Sequence, residues 1–277
     1  MPLNILHDLH VHTNLSLCAR DSATVENQVK KAKQCGLNKI GFADHFWGAP
    51  IGAEETWWEQ VQMCARSYYT TQNFDHVMRS KSEIERLKGQ GVELLLGCEV
   101  EYDPYRRDIA ITEEQAQQFD FIIVPNSHTH MVMPKTFYEP YDKHVDFMIR
   151  AYEDILDSPL SRYVTAIAHP FEAVCCPYGK ELPLALIPDD TYRRLFDRTA
   201  EKGVAVEINV ASLQDKTDFQ LALSPALRMY RLAKECGCQF TFGSDTHDAE
   251  HRNAYTTMNR VAALLELKEN DITPIAR

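Results

Sequence analysis

Short apolar runs alternate with amphipathic stretches along the chain, and most of the runs end in a polar residue. Seven runs predict β-strands, because they are rich in Val, Ile, Leu and Phe and are bounded by turn residues. The predicted strands cover residues 5–12, 39–45, 92–100, 119–127, 164–169, 204–210 and 239–245.

Helical patterns follow the strands. The spacing predicts helices over 25–35, 74–87, 113–118, 145–156, 188–202, 225–236 and 257–267. Gly36 and Gly203 stand where the C-terminal caps of two of these helices are expected. Alternation of strands and helices predicts an α/β protein with a parallel sheet, and the uniformly apolar strands predict burial on both faces.

One segment, at about 46–91, interrupts the alternation and is rich in Trp and Tyr. We interpret it as an insertion into a single domain that spans residues 1–277. A core or dimer-contact role is favoured for its aromatic residues, and an active-site lid is the alternative. A single barrel of alternating strands and helices accommodates a chain of 277 residues.

Composition narrows the classes of function. Hydrophobic residues make up 44% and charged residues 25% of the chain, which is typical of a globular protein. The net charge of −11 argues against binding to nucleic acid or to an anionic membrane, although bound metals can reverse the sign at a site. The eight cysteines form no Cys-x-x-Cys pair, and no signal peptide or apolar span is recognisable, so a cytoplasmic protein is expected.

Side chains that can bind metals stand at the ends of the predicted strands. His10 and His12 share one face of the first strand, because residues two apart in a strand point the same way. A lone His-x-His also fits a pair of surface histidines, but the recurrence of the pattern favours ligands. The candidates are His10, His12, His45, Glu99, His128, His169, Asp245 and His247.

In a parallel barrel these strand ends would share one face, where active sites of such barrels lie. Eight nitrogen and oxygen donors are too many for one tetrahedral zinc. They predict two or three divalent metals, of which zinc, manganese and iron suit imidazole and carboxylate ligands. Paired metals commonly serve phosphoryl transfer.

The same residues resemble a known family. His-x-His, Ala-Asp-His-Phe, Gly-x-Glu, Ser-His, Ala-His-Pro and Gly-Ser-Asp-x-His, in this order, resemble the PHP (polymerase and histidinol phosphatase) domain over essentially the whole chain. The stand-alone histidinol-phosphatase type is the most similar branch. The resemblance implies a distorted seven-stranded, TIM-like (β/α) barrel and a metal-dependent phosphatase that converts L-histidinol phosphate to L-histidinol in histidine biosynthesis. Another substrate (a nucleotide, a sugar phosphate or a phosphotyrosine peptide) and a non-catalytic metal-binding module are the alternatives.

The resemblance also implies a ligand set. His10, His12, Glu99 and Asp245 would hold a first metal, Glu99 would bridge to a second with His128 and His169, and His45 and His247 would hold a third. Relatives often have a further His where this chain has Cys18, which either binds the third metal as a thiolate or is inert. Two other departures from the histidinol-phosphatase pattern concern the substrate. Phe171 follows His-Pro where relatives commonly have Asp, and Asn126 stands where they commonly have Gly.

Hydrolysis of a phosphate ester at this site suggests further roles for individual residues. Asp245 or His247 would relay a proton to the leaving group. Arg20, Arg252 and Lys135 are candidates for binding the phosphate, with a solvated surface charge as the alternative for each. Asn209 is a candidate for contacting the substrate or a ligand. The expected partner is a small phosphorylated molecule, with no nucleic acid and no membrane, and a homo-oligomer is left open.

Overall fold

A computed structural model describes residues 3–51, 56–61, 65–173, 176–249 and 254–277. Within these residues the strands are β1 His7–Val11, β2 Lys39–Phe42, β3 His45–Phe46, β4 Glu93–Val100, β5 Tyr102–Asp103, β6 Asp108–Ile109, β7 Phe121–Pro125, β8 Ala166–Ala168, β9 Ala205–Asn209 and β10 Phe240–Gly243.

Eight of these strands form one parallel sheet, with seven in the order β1-β2-β4-β7-β8-β9-β10 and the short β3 paired with β4 as a continuation of β2. The two edge strands meet as well. The amide of His12 donates to the carbonyl of Thr246 at 3.0 Å, and the amide of Asp245 donates to the carbonyl of His10 at 2.8 Å. The sheet therefore nearly closes on itself, and the predicted TIM-like (β/α)7 barrel is confirmed.

Helices surround the barrel, and several begin at the residue types that cap helices. Thr24 and Ser224 accept hydrogen bonds at the starts of the helices Val25–Gln34 and Pro225–Glu235. Gly203, with φ of 69°, ends the helix Asp189–Lys202. The α-helices are α1 Val25–Gln34, α2 Ala65–Thr71, α3 Phe74–Val77, α4 Lys81–Leu87, α5 Glu113–Ala116, α6 Thr129–Val132, α7 Asp142–Asp157, α8 Glu181–Leu186, α9 Asp189–Lys202, α10 Asp218–Ala222, α11 Pro225–Glu235 and α12 Ala254–Leu264. Short 3-10 helices cover Thr56–Gln60, Met78–Ser80, Lys135–Phe137, Pro159–Tyr163, Glu269–Asp271 and Pro274–Ala276.

The predicted strand 39–45 is in fact two strands, β2 and β3. Strand pairing is interrupted between them, where the buried carboxylate of Asp44 is turned towards the loop after β1. There it accepts hydrogen bonds from the amide and hydroxyl of Thr13, at 2.7 and 2.6 Å, and from the hydroxyl of Ser16 at 2.7 Å. These bonds tie the loop after β1 to the end of β2, beside the two histidines of the first strand.

The aromatic segment packs as core. Trp57 and Trp58 are stacked with ring centroids 4.2 Å apart, and Trp47 lies 4.9 Å from Trp58 and 5.7 Å from Tyr69. All four side chains are buried in the main hydrophobic cluster, which supports the core interpretation. The division into one domain over 1–277 with an insertion at about 46–91 stays a proposal.

No helix within the described ranges is long and apolar enough to span a bilayer.

Candidate metal centre

The structure brings all eight predicted ligands together at the carboxyl ends of the barrel strands. Their ligating atoms form overlapping groups in which every pair of atoms lies within 4.8 Å. The groups are His10, His12 and Glu99; His10, His169 and Asp245; His45, Glu99 and His128; and His12, His45 and His247.

His10, in β1, and His12, directly after β1, face each other through their Nε2 atoms, which are 3.1 Å apart. Nδ1 of His10 lies 2.7 Å from Oε1 of Glu207, and Nδ1 of His12 lies 3.0 Å from the hydroxyl of Ser16. Ser16 gives its own proton to Asp44, so its oxygen accepts from His12. In their neutral forms both rings therefore carry the proton on Nδ1 and turn the Nε2 lone pair inwards.

The next pair of histidines is held in a similar way. Nδ1 of His128 lies 2.8 Å from Oε1 of Glu101, which leaves Nε2 facing Oε1 of Glu99 at 3.5 Å. Nδ1 of His169 lies 2.7 Å from the hydroxyl of Ser127, and its Nε2 lies 2.9 Å from the same Glu99 oxygen. Outer contacts of this kind fix ring orientation and tautomer in metal sites.

The remaining ligands lie nearer the solvent. His247 is held by a contact of 3.0 Å between its Nδ1 and the carbonyl of Asp245. Nδ1 of His45 lies 2.8 Å from Oε2 of Glu99 without the alignment of a hydrogen bond. Burial would raise the pKa of the Cys18 thiol, but the imidazoles of His247 and His45 lower it to about 5. The lowered pKa favours the thiolate form of Cys18 beside these two rings.

Charge in the site is concentrated on two carboxylates. Burial favours the neutral acid, but the imidazoles of His128, His45 and His10 hold the pKa of Glu99 well below its usual range. Asp245 behaves alike, with His10 as the strongest stabilising neighbour. Both carboxylates are therefore ionised, and without a metal their charge is balanced by imidazoliums. Burial lowers the pKa of His10 and of His45, but neighbouring carboxylates, Glu207 for His10 and Glu99 for His45, raise it well above its usual value.

This donor set fits divalent cations. Among the described residues, Oε2 of Glu99 and Nδ1 of His45 are buried without a hydrogen-bond partner, although they lie 2.8 Å apart. Inward lone pairs and carboxylate oxygens at this distance repel one another unless a proton or a metal cation lies between them. Imidazole and carboxylate donors are those that zinc, manganese and iron accept.

Two of the site positions have unusual backbone conformations. His169 has φ of 26° and Asp245 has φ of 53°, values that residues with a Cβ seldom adopt. His169 directly follows β8, and Asp245 lies two residues after β10. The turn at each position directs the side chain into the site. Strain of this kind concentrates at functional sites.

The predicted substrate-binding residues differ in their placement. The amide group of Asn209 donates to Oδ2 of Asp245 at 3.4 Å, so Asn209 contacts a candidate ligand. The Arg20 side chain is 77% exposed, and its nearest ion pair is with Asp248 at 4.0 Å. Arg252 lies outside the described residues.

The two departures from the family pattern contact each other. The side-chain oxygen of Asn126 accepts a hydrogen bond from the amide of Phe171 at 3.1 Å. The ring of Phe171 is fully buried and lies 5.1 Å from Tyr152 and 5.4 Å from Tyr192. Phe171 is therefore part of the core behind the site rather than of its lining.

Sequence reasoning missed the groups that orient the ligands. Glu207 spans two strands, because Oε1 contacts His10 and Oε2 accepts the amide of His169 at 2.6 Å. Glu101 likewise orients the ring of His128, whose Nδ1 donates to Oε1 of Glu101. Glu207 is a charged residue within the otherwise apolar β9, and Glu101 directly follows β4. Each lies two positions from another site residue, Asn209 and Glu99, and this spacing is the signal that could have found them.

Comparisons with known proteins agree with this geometry. The PHP domain family model matches residues 8–211, so the chain belongs to the PHP domain family, as predicted. A probable phosphatase of Clostridium novyi (strain NT) is 23% identical over 239 residues, which are 86% of this chain and 78% of that protein.

A solved structure shares the fold. Histidinol phosphate phosphatase (HISK) from Lactococcus lactis subsp. lactis Il1403, complexed with Zn, L-histidinol and phosphate, superposes with a TM-score of 0.62 at 16% identity. The match covers 95% of this chain and 94% of that one. Taken together, the family, the relative and the shared fold support a metal-dependent phosphatase, the class expected from the sequence.

Proposed function

We propose that this protein hydrolyses a small phosphomonoester, and that the substrate is L-histidinol phosphate, which would yield L-histidinol and phosphate for histidine biosynthesis. The observation that carries the proposal is the convergence of inward imidazole lone pairs on two charged carboxylates at the carboxyl end of the barrel. Support for the substrate comes from the shared fold with a histidinol phosphate phosphatase.

The site would hold two or three divalent ions, with zinc, manganese and iron as the candidates. His10, His12, Glu99 and Asp245 would bind one ion, and Glu99 would bridge to a second ion bound by His128 and His169. His45 and His247 would bind a third, with Cys18 as a thiolate ligand. This assignment is the one that the family resemblance implies, and the group of neighbouring donor atoms formed by His10, His12 and Glu99 supports its first ion.

When bound, such ions lower the pKa of a water molecule and neutralise charge on the phosphoryl group. The residues of the chain supply orientation and proton transfer. Asp245 and His247 are the candidates for the proton relay, because their side chains are 23% and 31% exposed and reach the mouth of the site. Asn209 would hold the carboxylate of Asp245 in place.

Phosphate release tests this function. We would measure it on L-histidinol phosphate and on a panel of a nucleotide, a sugar phosphate and a phosphotyrosine peptide, with protein loaded with zinc or manganese. A preference of several hundred-fold for histidinol phosphate would support the proposal. Weak and even turnover would remove the named substrate, and no turnover by metal-loaded protein would favour a non-catalytic metal-binding module.

The Glu99→Gln variant tests the proposed bridging role of Glu99. If Glu99 bridges two ions, elemental analysis should show a loss of more than one metal per chain together with the loss of phosphate release. A metal content equal to that of the parent protein would contradict the bridging role. The cytoplasmic location stays a prediction from the sequence.

A further inference from the structure

Helix α2 of the aromatic segment presents two adjacent phenols to the metal centre. The hydroxyl of Tyr68 donates to Sγ of Cys18 at 3.4 Å. The hydroxyl of Tyr69 donates to Oε1 of Glu101. A segment that the sequence marks only as aromatic core therefore contacts the surroundings of two different candidate metal positions.

The contact through Tyr69 is entirely buried. Tyr69 is 1% exposed, Glu101 is 0% exposed and His128 is 5% exposed. Oε1 of Glu101 accepts both from Tyr69 and from Nδ1 of His128, because a carboxylate only accepts. Three side chains from α2, the end of β4 and the end of β7 are thus joined through one oxygen atom.

We propose that Tyr69 is a positioning residue of the metal centre, which fixes the carboxylate of Glu101 and, through it, the ring of His128. The inference rests on the proposed metal centre. Among the described residues, Oε2 of Glu101 has no hydrogen-bond partner. Without the phenol, His128 would be the only hydrogen-bond partner left to set the rotation of this carboxylate.

Two further features fit the role. Burial, together with the neighbouring Glu101, keeps the pKa of Tyr69 well above its usual value, so the phenol keeps the proton that it donates. The ring also packs 5.7 Å from Trp47 and 5.1 Å from Tyr68. Tyr69→Phe retains this packing and removes only the hydroxyl.

The experiment measures Zn²⁺ affinity by competition with a chromophoric chelator. Tyr69→Phe should weaken one class of bound zinc by about 10- to 100-fold, the range for loss of a group that orients a ligand. A double-mutant cycle with His128→Gln isolates the path. In the His128→Gln background, Tyr69→Phe should cause no further loss.

Tyr68→Phe is the matched control, since it makes the same chemical change on the same helix. Its effect on zinc affinity should be the same with and without His128→Gln, because its hydroxyl contacts Cys18 instead. Parent-like zinc affinity of Tyr69→Phe would overturn the inference. So would an equal loss in both backgrounds, which would indicate general packing.

A second variant covers a failure to fold. Glu101→Gln keeps the size of the side chain, and its loss of zinc affinity must likewise disappear in the His128→Gln background, or the inference fails. The readout also separates this inference from the proposed function. A parent protein that binds no zinc refutes the metal centre, whereas a zinc-binding parent with unaffected variants refutes only the role of Tyr69.

Discussion

His7, the first residue of β1, gives a quantitative prediction for stability. Its ring is 3% exposed, and Nε2 accepts a hydrogen bond from the amide of Phe242 at 3.0 Å. Burial, with a smaller contribution from Lys39, lowers the pKa of His7 to about 3. Protonation in the folded state would break the bond to β10 and place a charge in the core.

The unfolded chain binds this proton near pH 6.5, well before the folded chain does. Stability is therefore complete above the unfolded pKa and falls as the pH decreases towards 3. At pH 5 the loss attributable to His7 is about 2 kcal/mol, from 1.36 kcal/mol per pH unit over the interval in which only the unfolded state is charged. That is a large part of a typical total of about 5–15 kcal/mol.

Urea unfolding of the metal-free protein at pH 7, 6 and 5 measures this loss. His7→Gln keeps an oxygen that can accept from Phe242 but cannot titrate, so its stability should fall by about 2 kcal/mol less over the same range. His76→Gln is the control, because Nε2 of His76 contacts the carbonyl of Leu15 as a donor, and protonation leaves that bond intact. Parallel pH profiles for the parent and His7→Gln would refute the reasoning.

Three further substitutions probe the site. Glu207→Gln leaves one side-chain oxygen to accept from His10 but places an NH₂ group against the backbone N–H of His169, so two donors face each other. Zinc affinity, measured by chelator competition, should therefore fall about 10- to 100-fold. An unchanged affinity would contradict the role of Glu207. A Cβ at Gly243 would lie 2.5 Å from Cβ of His10 and would clash with Oε1 of Glu207. Gly243→Ala should therefore lower stability in urea by about 1–3 kcal/mol and reduce phosphate release, and parent-like values would show that the strand can shift without cost. Cys18→Ser should lower metal content by up to one ion per chain in elemental analysis, and an unchanged content would show that the thiolate is inert.

The positions of the candidate ligands could be predicted because they depend on local rules. His10 and His12 share a face through strand alternation, and His169 and Asp245 end apolar runs that could only be strands. Parallel strands bring these ends to one edge whatever the details of the connections. The seven strands and the parallel sheet followed from the same alternation, and the family resemblance implied the TIM-like barrel.

The groups around the ligands could not be predicted in this way, because their contacts join distant parts of the chain. Glu207 meets His10 only when the barrel closes, and Tyr69 meets Glu101 only when the aromatic segment folds back over β4. The break at Asp44 has a similar cause, since its partners lie in the loop after β1. Propensity along the chain carries no information about such pairs.

Closure of the barrel between β1 and β10 has a consequence for protein synthesis. His7 and Phe242, which are hydrogen-bonded across this seam, are 235 positions apart. A nascent chain on the ribosome therefore carries His10 and His12 long before Asp245 exists to face them. Because contacts between positions this far apart in sequence form late, the proposed metal centre would be complete only after nearly all of the chain had been translated. A chain terminated at β10 would lack Asp245. Binding of the full set of proposed metal ions would therefore show that translation had continued beyond β10.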